Sequence, residues 1–449
     1  MISTKLTHLQ QASEAGTELV RSLFEIHVQQ SDERIPTHFV LLLDTSGSME
    51  EKKKLENVKK CVELLLNILT PDDRISVVTF ADDSKIVLKR VPADSLHKDS
   101  IISKLSSIHA NGSTNMSASA VNLQNVVQDE TMKTGVILLT DGHANIGIYD
   151  TPSLTTMFRN VREKNPLLTI ACLAYGTDHN AELLKQISTE GSGSYAIVNS
   201  LEDAATAIGD VFGSFVSCCA QNVDLHLPLG TTIEGSHTTT MLHNSVSLRI
   251  GDIYTGSQTM YLVNIPANYI RENKPLLTLY GTKIPQMEAL QINCDAGTYH
   301  LERHRDVDLT LLRYRCATLF KRLADWETLR AAERANLQED IRRFSDEIQE
   351  EFFNGHTITE MLRGEATSLT NSITMLLQRR SLPQSLRTHL VQHEAVMSSG
   401  HGYTQSIEQD EDPNTYEVRS AMPVDDSRTP FRNNTQRTIA SVMRSMTSQ

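Results

Sequence analysis

The chain has 449 residues but no uninterrupted apolar segment near the length needed to cross a membrane. Residues 1–16 are polar and contain no apolar core of the kind found in secretory signal peptides. We therefore expect an intracellular, cytoplasmic protein. An excess of positive charge is also missing, because the formal net charge is -13 at pH 7. This balance argues against a general affinity for nucleic acid or for an anionic membrane.

Cysteine clusters and common catalytic motifs are absent as well. The chain has six cysteines, and its only close pair is the adjacent Cys218 and Cys219, which lacks the spacing of a zinc knuckle or a redox pair. The sequence contains no Gly-x4-Gly-Lys-Ser/Thr phosphate loop, no Gly-x-Ser-x-Gly turn and no His-Glu-x-x-His motif. We therefore expect a protein that is not an enzyme, with most cysteines buried as thiols in a reducing compartment.

What the chain does contain is a short apolar run that ends in oxygen-bearing side chains. Residues 39–43 are too few for an ordinary helix and have no polar face, which predicts a buried central strand of a parallel sheet. Asp44, Ser46 and Ser48 follow at alternate positions, so their oxygens can converge on one point while Gly47 permits a tight turn. Function in such sheets lies where strands end, and hard oxygen ligands suit Mg2+.

Two later stretches repeat this arrangement. Residues 111–115 have the sequence Asn-Gly-Ser-Thr-Asn and open a predicted amphipathic helix, which places the Thr114 hydroxyl at a helix N-terminus. Residues 136–140 form a second predicted buried strand, and Asp141 follows it directly. The sequence therefore predicts one divalent-ion site, and the alternative is a polar cluster at the strand ends that holds no metal.

These motifs resemble those of a known family. Asp-x-Ser-Gly-Ser, Gly-Ser-Thr-Asn and Thr-Asp-Gly, in this order and at this spacing, resemble the metal-ion-dependent adhesion site (MIDAS) of von Willebrand factor type A (VWA) domains. The resemblance implies a doubly wound, mainly parallel α/β sheet of the Rossmann-like type. It also implies that Ser46, Ser48 and Thr114 bind the ion through their hydroxyls. Asp44 and Asp141 would act directly or through water.

The expected function is metal-dependent binding of another protein. If the carboxylates act mostly through water, neutral oxygens leave Mg2+, or the similar Mn2+, electron-poor and able to attract an Asp or Glu of a protein partner. Gly112, Asn115, Gly142 and His143 are expected to form the rim that meets this partner. The alternative is an intracellular scaffold or adaptor, in which the metal only stiffens the loops and other regions bind the partner. Neither reading includes a nucleic acid or a membrane.

The rest of the chain predicts further regions around the VWA domain. The expected regions are a polar, partly helical lead (1–21), a segment whose strand joins the β domain (22–35), the VWA domain (36–219), a small β-sandwich (220–305), a helical region (306–397) and a disordered tail (398–449). The sandwich is predicted from short apolar runs separated by turns, and the tail from its loss of apolar residues.

Residues 248–254 and 261–266 resemble the β region that follows the VWA domain in plant and protist proteins with a RING finger. In that group a strand ahead of the VWA domain also joins the β region, which implies an inserted VWA domain here. A RING finger needs Cys and His at metal-ligand spacing, and this chain has no such array. The resemblance therefore does not imply ligase activity. It implies a link to the ubiquitin pathway only under the alternative in which the protein is a scaffold or adaptor. Asp82 and Asp83 are expected to be solvated turn residues.

Overall fold

The structure is a computed structural model. It describes residues 1–9, 19–31, 33–128, 131–235, 237–271, 277–294, 297–300, 302–378, 382–399, 406–409, 416–419 and 433–447. Most of these residues belong to a six-stranded sheet with flanking helices, to two five-stranded sheets, or to a helical region.

The strands are numbered in chain order. They are β1 (Ile2–His8), β2 (Leu19–Val28), β3 (Thr37–Asp44), β4 (Arg74–Phe80), β5 (Ser84–Pro92), β6 (Lys133–Thr140), β7 (Leu168–Tyr175), β8 (Ser192–Val198), β9 (Cys218–Pro228), β10 (Thr232–Ile233), β11 (Thr239–Met241), β12 (Ser245–Tyr254), β13 (Gln258–Pro266), β14 (Leu277–Lys283), β15 (Ala289–Cys294), β16 (Thr298–Tyr299), β17 (Ser406–Gln409) and β18 (Tyr416–Arg419).

The α-helices follow the same convention. They are α1 (Lys54–Leu65), α2 (Lys98–Ser106), α3 (Met116–Val127), α4 (Thr151–Lys164), α5 (Ala181–Glu190), α6 (Leu201–Val216), α7 (Ala267–Arg271), α8 (Arg305–Ala324), α9 (Ala331–Glu347), α10 (Thr357–Gln378), α11 (Gln384–Ser399) and α12 (Asn434–Met446). Short 3-10 helices cover Gly47–Lys53, Trp326–Thr328 and Glu351–Phe353.

The six-stranded sheet has the order β5-β4-β3-β6-β7-β8, and only β5 runs antiparallel to its neighbour. Helices α3, α4 and α5 pack on one face, and α1, α2 and α6 pack on the other. Every residue of β3 is buried, because this strand lies between β4 and β6 and is covered on both faces. The expected doubly wound α/β fold is therefore what the structure shows.

The two five-stranded sheets, β10-β13-β2-β1-β16 and β11-β12-β9-β14-β15, share one hydrophobic core and form a sandwich. β2 pairs with β13 along nearly its whole length, so the chain enters the sandwich, leaves it for the six-stranded sheet and returns at β9. The predicted partly helical lead is wrong for residues 2–8, which form β1 on the edge of β2. This polar segment gains its order from pairing with β2, which local propensity does not reveal. Residues 10–18 lie outside the described part of the chain.

The helical region extends the core of the six-stranded sheet. Side chains of α8, α9, α10 and α11 belong to the same apolar cluster as those of α3, α4 and α5. Trp326, the only tryptophan, is 2% exposed within this cluster. Among the described residues, no helix is both long and apolar enough to span a bilayer.

The predicted disorder of residues 398–449 is wrong for the end of α11, for β17 and β18, which pair antiparallel, and for α12, which packs along α6. A Cβ atom added at Gly209 would lie 2.8 Å from the Cα of Ala440, and one added at Gly213 would lie 2.6 Å from the Cα of Gln436. The two glycines therefore allow a close approach of the two helix backbones, and Met443 is fully buried there. The few apolar residues of this helix are buried because the two glycines let it lie close to α6. Residues 400–405, 410–415, 420–432 and 448–449 lie outside the described part.

A buried ion pair joins the six-stranded sheet to the sandwich. The Lys133 ammonium, on β6, lies 3.0 Å from Asp252 Oδ2, on β12, and both side chains are at most 1% exposed. Thr169 and Gln221 donate to the same oxygen over 2.5 Å and 2.9 Å. Burial alone would raise the pKa of Asp252, but Lys133 and Arg162 outweigh it and hold that pKa below its ordinary value.

Candidate metal site

The predicted ligands lie where β3 and β6 end. These strands are parallel neighbours, so their carboxyl ends meet at one edge of the sheet. Asp44 is the last residue of β3, and Asp141 follows Thr140, the last residue of β6. The segment that carries Thr114 reaches the same edge, because the Gly47 N–H donates to the Gly112 carbonyl over 3.0 Å.

Asp44 is fully buried, and internal donors contact both of its oxygens. The Ser46 backbone N–H donates to Oδ1 over 2.8 Å, and the Thr140 hydroxyl donates to Oδ2 over 2.6 Å. Burial nevertheless raises the pKa of Asp44 to about 6, and the neighbouring Asp141 carboxylate adds to this shift. A cation at this edge would offset both effects and favour the ionised carboxylate.

The two serines connect Asp44 to Asp141. The hydroxyls of Ser46 and Ser48 lie 3.1 Å apart, and the Ser48 hydroxyl donates to Asp141 Oδ1 over 2.8 Å. Ser46 is 2% exposed and Asp141 is 4% exposed, whereas Ser48 is exposed. This set of hydrogen-bonded side chains is therefore buried at Ser46 and Asp141 and open to solvent at Ser48.

Thr114 brings the third hydroxyl. A Cβ atom added at Gly142 would lie 3.9 Å from Ser48 Oγ and 4.0 Å from Thr114 Oγ1, so both hydroxyls face this glycine. The backbone of Thr114 is fixed by Asn145, which accepts from its N–H over 2.8 Å and donates its own N–H to the Thr114 carbonyl over 3.1 Å. Thr114 itself is 3% exposed. All five predicted ligand residues therefore lie at one edge of the sheet.

Asp82 fixes the loop before Thr114, a role that the expectation of a solvated turn residue missed. Its Oδ1 accepts from the Ser113 N–H over 2.8 Å, and its backbone carbonyl accepts from the Asn115 side chain over 3.2 Å. Gly112 has a φ of +81°, and a Cβ atom there would lie 2.6 Å from Asp82 Oδ2, so only glycine fits. Asp83 contacts the N–H of Ser84 within its own turn over 2.9 Å, as a turn residue does.

The predicted rim residues differ in what they present to solvent. His143 is exposed and lies 3.7 Å from Asp178, whereas Gly142 is half-buried beside the hydroxyls. Asn115 is engaged within the protein, because its side-chain oxygen caps α3 by accepting from the Ala118 N–H over 3.1 Å. Its amide nitrogen is engaged by Asp82, so Asn115 supports the loop while His143 is available to a partner.

Lys54 is a charged group at the site that the sequence analysis did not identify. Its ammonium lies 2.5 Å from Asp141 Oδ2 and 3.3 Å from the Ser48 carbonyl, and its side chain is 14% exposed. In the sequence it is the last of three consecutive lysines, a pattern typical of a solvated surface. Only its place as the first residue of α1 distinguishes it from its neighbours.

The donor atoms match a small, hard divalent ion. They are hydroxyl and carboxylate oxygens, which suit Mg2+ or Mn2+ better than a soft metal. Throughout the described ranges, no group of three or more His, Cys, Asp or Glu residues is placed to hold a metal. Any metal at this edge would therefore depend on the serine and threonine hydroxyls.

Comparisons with known proteins agree with this fold. The sequence model of the von Willebrand factor type A domain matches residues 39–211. Uncharacterized protein YfbK of Escherichia coli K12 is 29% identical over 214 residues, which cover 45% of this chain and 36% of that protein. Uncharacterized protein sll0103 of Synechocystis is 26% identical over 252 residues, which cover 52% and 58%. The match thus spans less than two thirds of either relative.

Two solved structures resemble most of the chain. A von Willebrand factor type A protein from Catenulispora acidiphila has a TM-score of 0.60 and 13% identity, with 96% of each chain covered. The ArnB paralog VWA2 from Sulfolobus acidocaldarius has a TM-score of 0.51 and 15% identity, with 89% of this chain and 98% of that chain covered. At these identities the likeness concerns the fold alone, and its coverage extends beyond the six-stranded sheet.

Proposed function

We propose that residues 39–211, which match the sequence model of the von Willebrand factor type A domain, bind an acidic side chain of a protein partner through Mg2+ or Mn2+ at an intact MIDAS. The observation that carries this proposal is that three hydroxyls and two carboxylates converge on one edge of the sheet: those of Asp44, Ser46, Ser48, Thr114 and Asp141. VWA domains commonly act as metal-dependent interaction modules, which supports the same reading.

Neutral hydroxyls are the proposed direct ligands. Ser46, Ser48 and Thr114 would hold the ion, which when bound supplies a positive centre that can accept one further oxygen ligand. Asp44 already accepts hydrogen bonds at both oxygens, so it is placed to orient Ser46 and to act on the ion through water. Neutral ligands leave most of the ionic charge in place, and a partner carboxylate is then favoured as the added ligand.

The proposed chemistry is reversible coordination without turnover. Partner binding would form and release one oxygen–metal contact, and no covalent bond would change. The exposed His143 lies on the rim, where it can meet a partner side chain. We further propose that this binding takes place inside the cell, in keeping with six cysteines that form no disulfide in the described part of the chain and are mostly buried.

The test is calorimetric titration of Mg2+ into the chelator-stripped full chain. Wild type should bind, and Ser46→Ala and Thr114→Ala should each weaken binding strongly, because each removes a direct ligand. Asp83→Ala is the matched control, since this acid lies in a nearby turn without contacting the site. Circular dichroism should show that all variants are folded.

A second step tests capture of a partner. Proteins retained from a lysate by the immobilised chain should be lost with EDTA and lost with Ser46→Ala, but kept with Asp83→Ala. Proteins that are still retained in EDTA and by the Ser46→Ala variant would contradict the proposal. That result would favour a scaffold in which the sandwich or the helices bind the partner.

A further inference from the structure

The position of Lys54 is set by the turn that leads into α1. Lys52 and Lys53 have φ values of 49° and 58°, so the backbone reverses just before the helix begins. Side chains on an α-helix tilt toward its N-terminus, and Lys54 is the first residue of α1. Its ammonium is therefore directed back over the loop that carries Ser46 and Ser48.

Lys54 and Ser48 together occupy both oxygens of Asp141. The ammonium contacts Oδ2 over 2.5 Å, and the Ser48 hydroxyl donates to Oδ1 over 2.8 Å. The Asp141 side chain is 0% exposed, so these contacts replace water at the carboxylate. A divalent ion would have to share Asp141 with a cation that the protein already provides.

We propose that Lys54 is a resident cation of the metal site: it stabilises the site without an ion and weakens its affinity for a divalent ion. The first half depends only on the contacts of Lys54. The second half rests on the proposed function, because it requires that the site binds Mg2+ or Mn2+.

The charges at the site give this role two consequences. Ionised Asp44 and Asp141 sum to two negative charges, and Lys54 reduces this to one, so a divalent ion is attracted less strongly. Once the ion is bound, the same lysine leaves the site with one net positive charge instead of none. Lys54 therefore lowers the affinity of the site for the ion, and it strengthens the attraction of the ion-bound site for an acidic partner side chain.

The test compares Lys54→Met, which keeps an unbranched apolar side chain one atom shorter, with Lys54→Arg, which keeps the charge. Lys60→Met is the matched control, because Lys60 is exposed on the same helix. Titration of Mg2+ alone should give a Kd about tenfold lower for Lys54→Met, since a unit charge within a few ångströms of the ion is removed. Lys54→Arg and Lys60→Met should stay within about twofold of wild type.

Thermal melting in EDTA tests the first half separately. Lys54→Met should lower Tm by about 2–4 °C, because the carboxylate of Asp141 loses its counter-charge. Lys60→Met should leave Tm unchanged. Adding Mg2+ should then raise the Tm of Lys54→Met by more than that of wild type.

The outcomes separate this inference from the proposed function. A Lys54→Met protein that binds Mg2+ no more tightly than wild type overturns the weakening effect, and an unchanged Tm in EDTA overturns the stabilising effect. If neither protein binds Mg2+, the proposed function and the weakening effect both fail, while the melting result still decides whether Lys54 stabilises the site.

Discussion

Strand β6 has a lysine–aspartate pair at each of its two ends, and the two pairs differ in how completely they are enclosed. At its start, Lys133 meets Asp252 where two further side chains donate to the same carboxylate oxygen. After its end, Lys54 meets Asp141 beside the exposed Ser48. The same pair of residue types is thus sealed from solvent at one end, whereas at the other end it lies at the edge where we propose that a metal binds.

The largest predicted effect is at the enclosed end. Lys133→Met should lower the free energy of unfolding by about 3–5 kcal/mol, because it leaves the Asp252 carboxylate buried without its counter-ion. Urea denaturation followed by circular dichroism measures this change, with Lys60→Met as the control. A loss below about 1 kcal/mol would mean that the pair at the enclosed end is as dispensable as a surface pair.

Lowering the pH should reduce the stability of the domain that contains the six-stranded sheet, whether or not a metal is bound. Burial lowers the pKa of His179 and of His389 to about 3, where α11 packs against the loop before α5. The unfolded chain takes up these protons near pH 6.5, so stability is full above that pH and falls as the pH drops toward 3. From pH 7 to pH 5 each histidine should cost about 2 kcal/mol.

Urea denaturation at both pH values checks this, and His389→Leu should remove one share of the loss. The share of the pH dependence that His389→Leu removes should be the same with and without saturating Mg2+. A His389→Leu protein with the full pH dependence of wild type would contradict the assignment.

The loop support at the metal end should have a smaller effect. Asp82→Ala removes the acceptor of the Ser113 N–H and frees the loop before Thr114, so Mg2+ affinity should fall about fivefold and stability by about 1 kcal/mol. Titration calorimetry and urea denaturation measure the two effects. Asp83→Ala should change neither, and equal behaviour of the two variants would show that Asp82 is only a turn residue.

The most local effect is expected at α12. Gly213→Ala would place a Cβ atom against the backbone of Gln436. Helix α12 should then detach locally, and its amide hydrogens should exchange with solvent at least about tenfold faster. Gly364→Ala is the control, because nothing lies within 4 Å of its added Cβ, and it should stabilise α10 by up to about 1 kcal/mol. Unchanged exchange in α12 would contradict the close packing. Mg2+ affinity should be unaffected by either change.

The residues that the sequence analysis found and missed differ in kind. Asp44, Ser46 and Asp141 follow apolar strands directly, so the strand pattern alone locates them at one edge of a parallel sheet. Lys54 and Asp82 act through turns whose backbone directions are decided by left-handed residues and by contacts distant in sequence. A pattern of residue types does not contain that information.

The fold shows the same division. The strands before Asp44 and Asp141 and the helix after Thr114 were predicted because each carries its own apolar pattern. β1 and α12 were missed because each depends on a partner: β1 on the ladder of β2, and α12 on the glycines of α6. Their own sequences are too polar to predict order.

The most direct test of the central claim is a crystal structure of the full chain soaked in Mn2+ in a buffer free of carboxylates. We predict one strong anomalous peak within about 2.3 Å of the hydroxyl oxygens of Ser46, Ser48 and Thr114. A well-ordered site without a peak there, at an ion concentration that fills ordinary Mn2+ sites, would contradict the account.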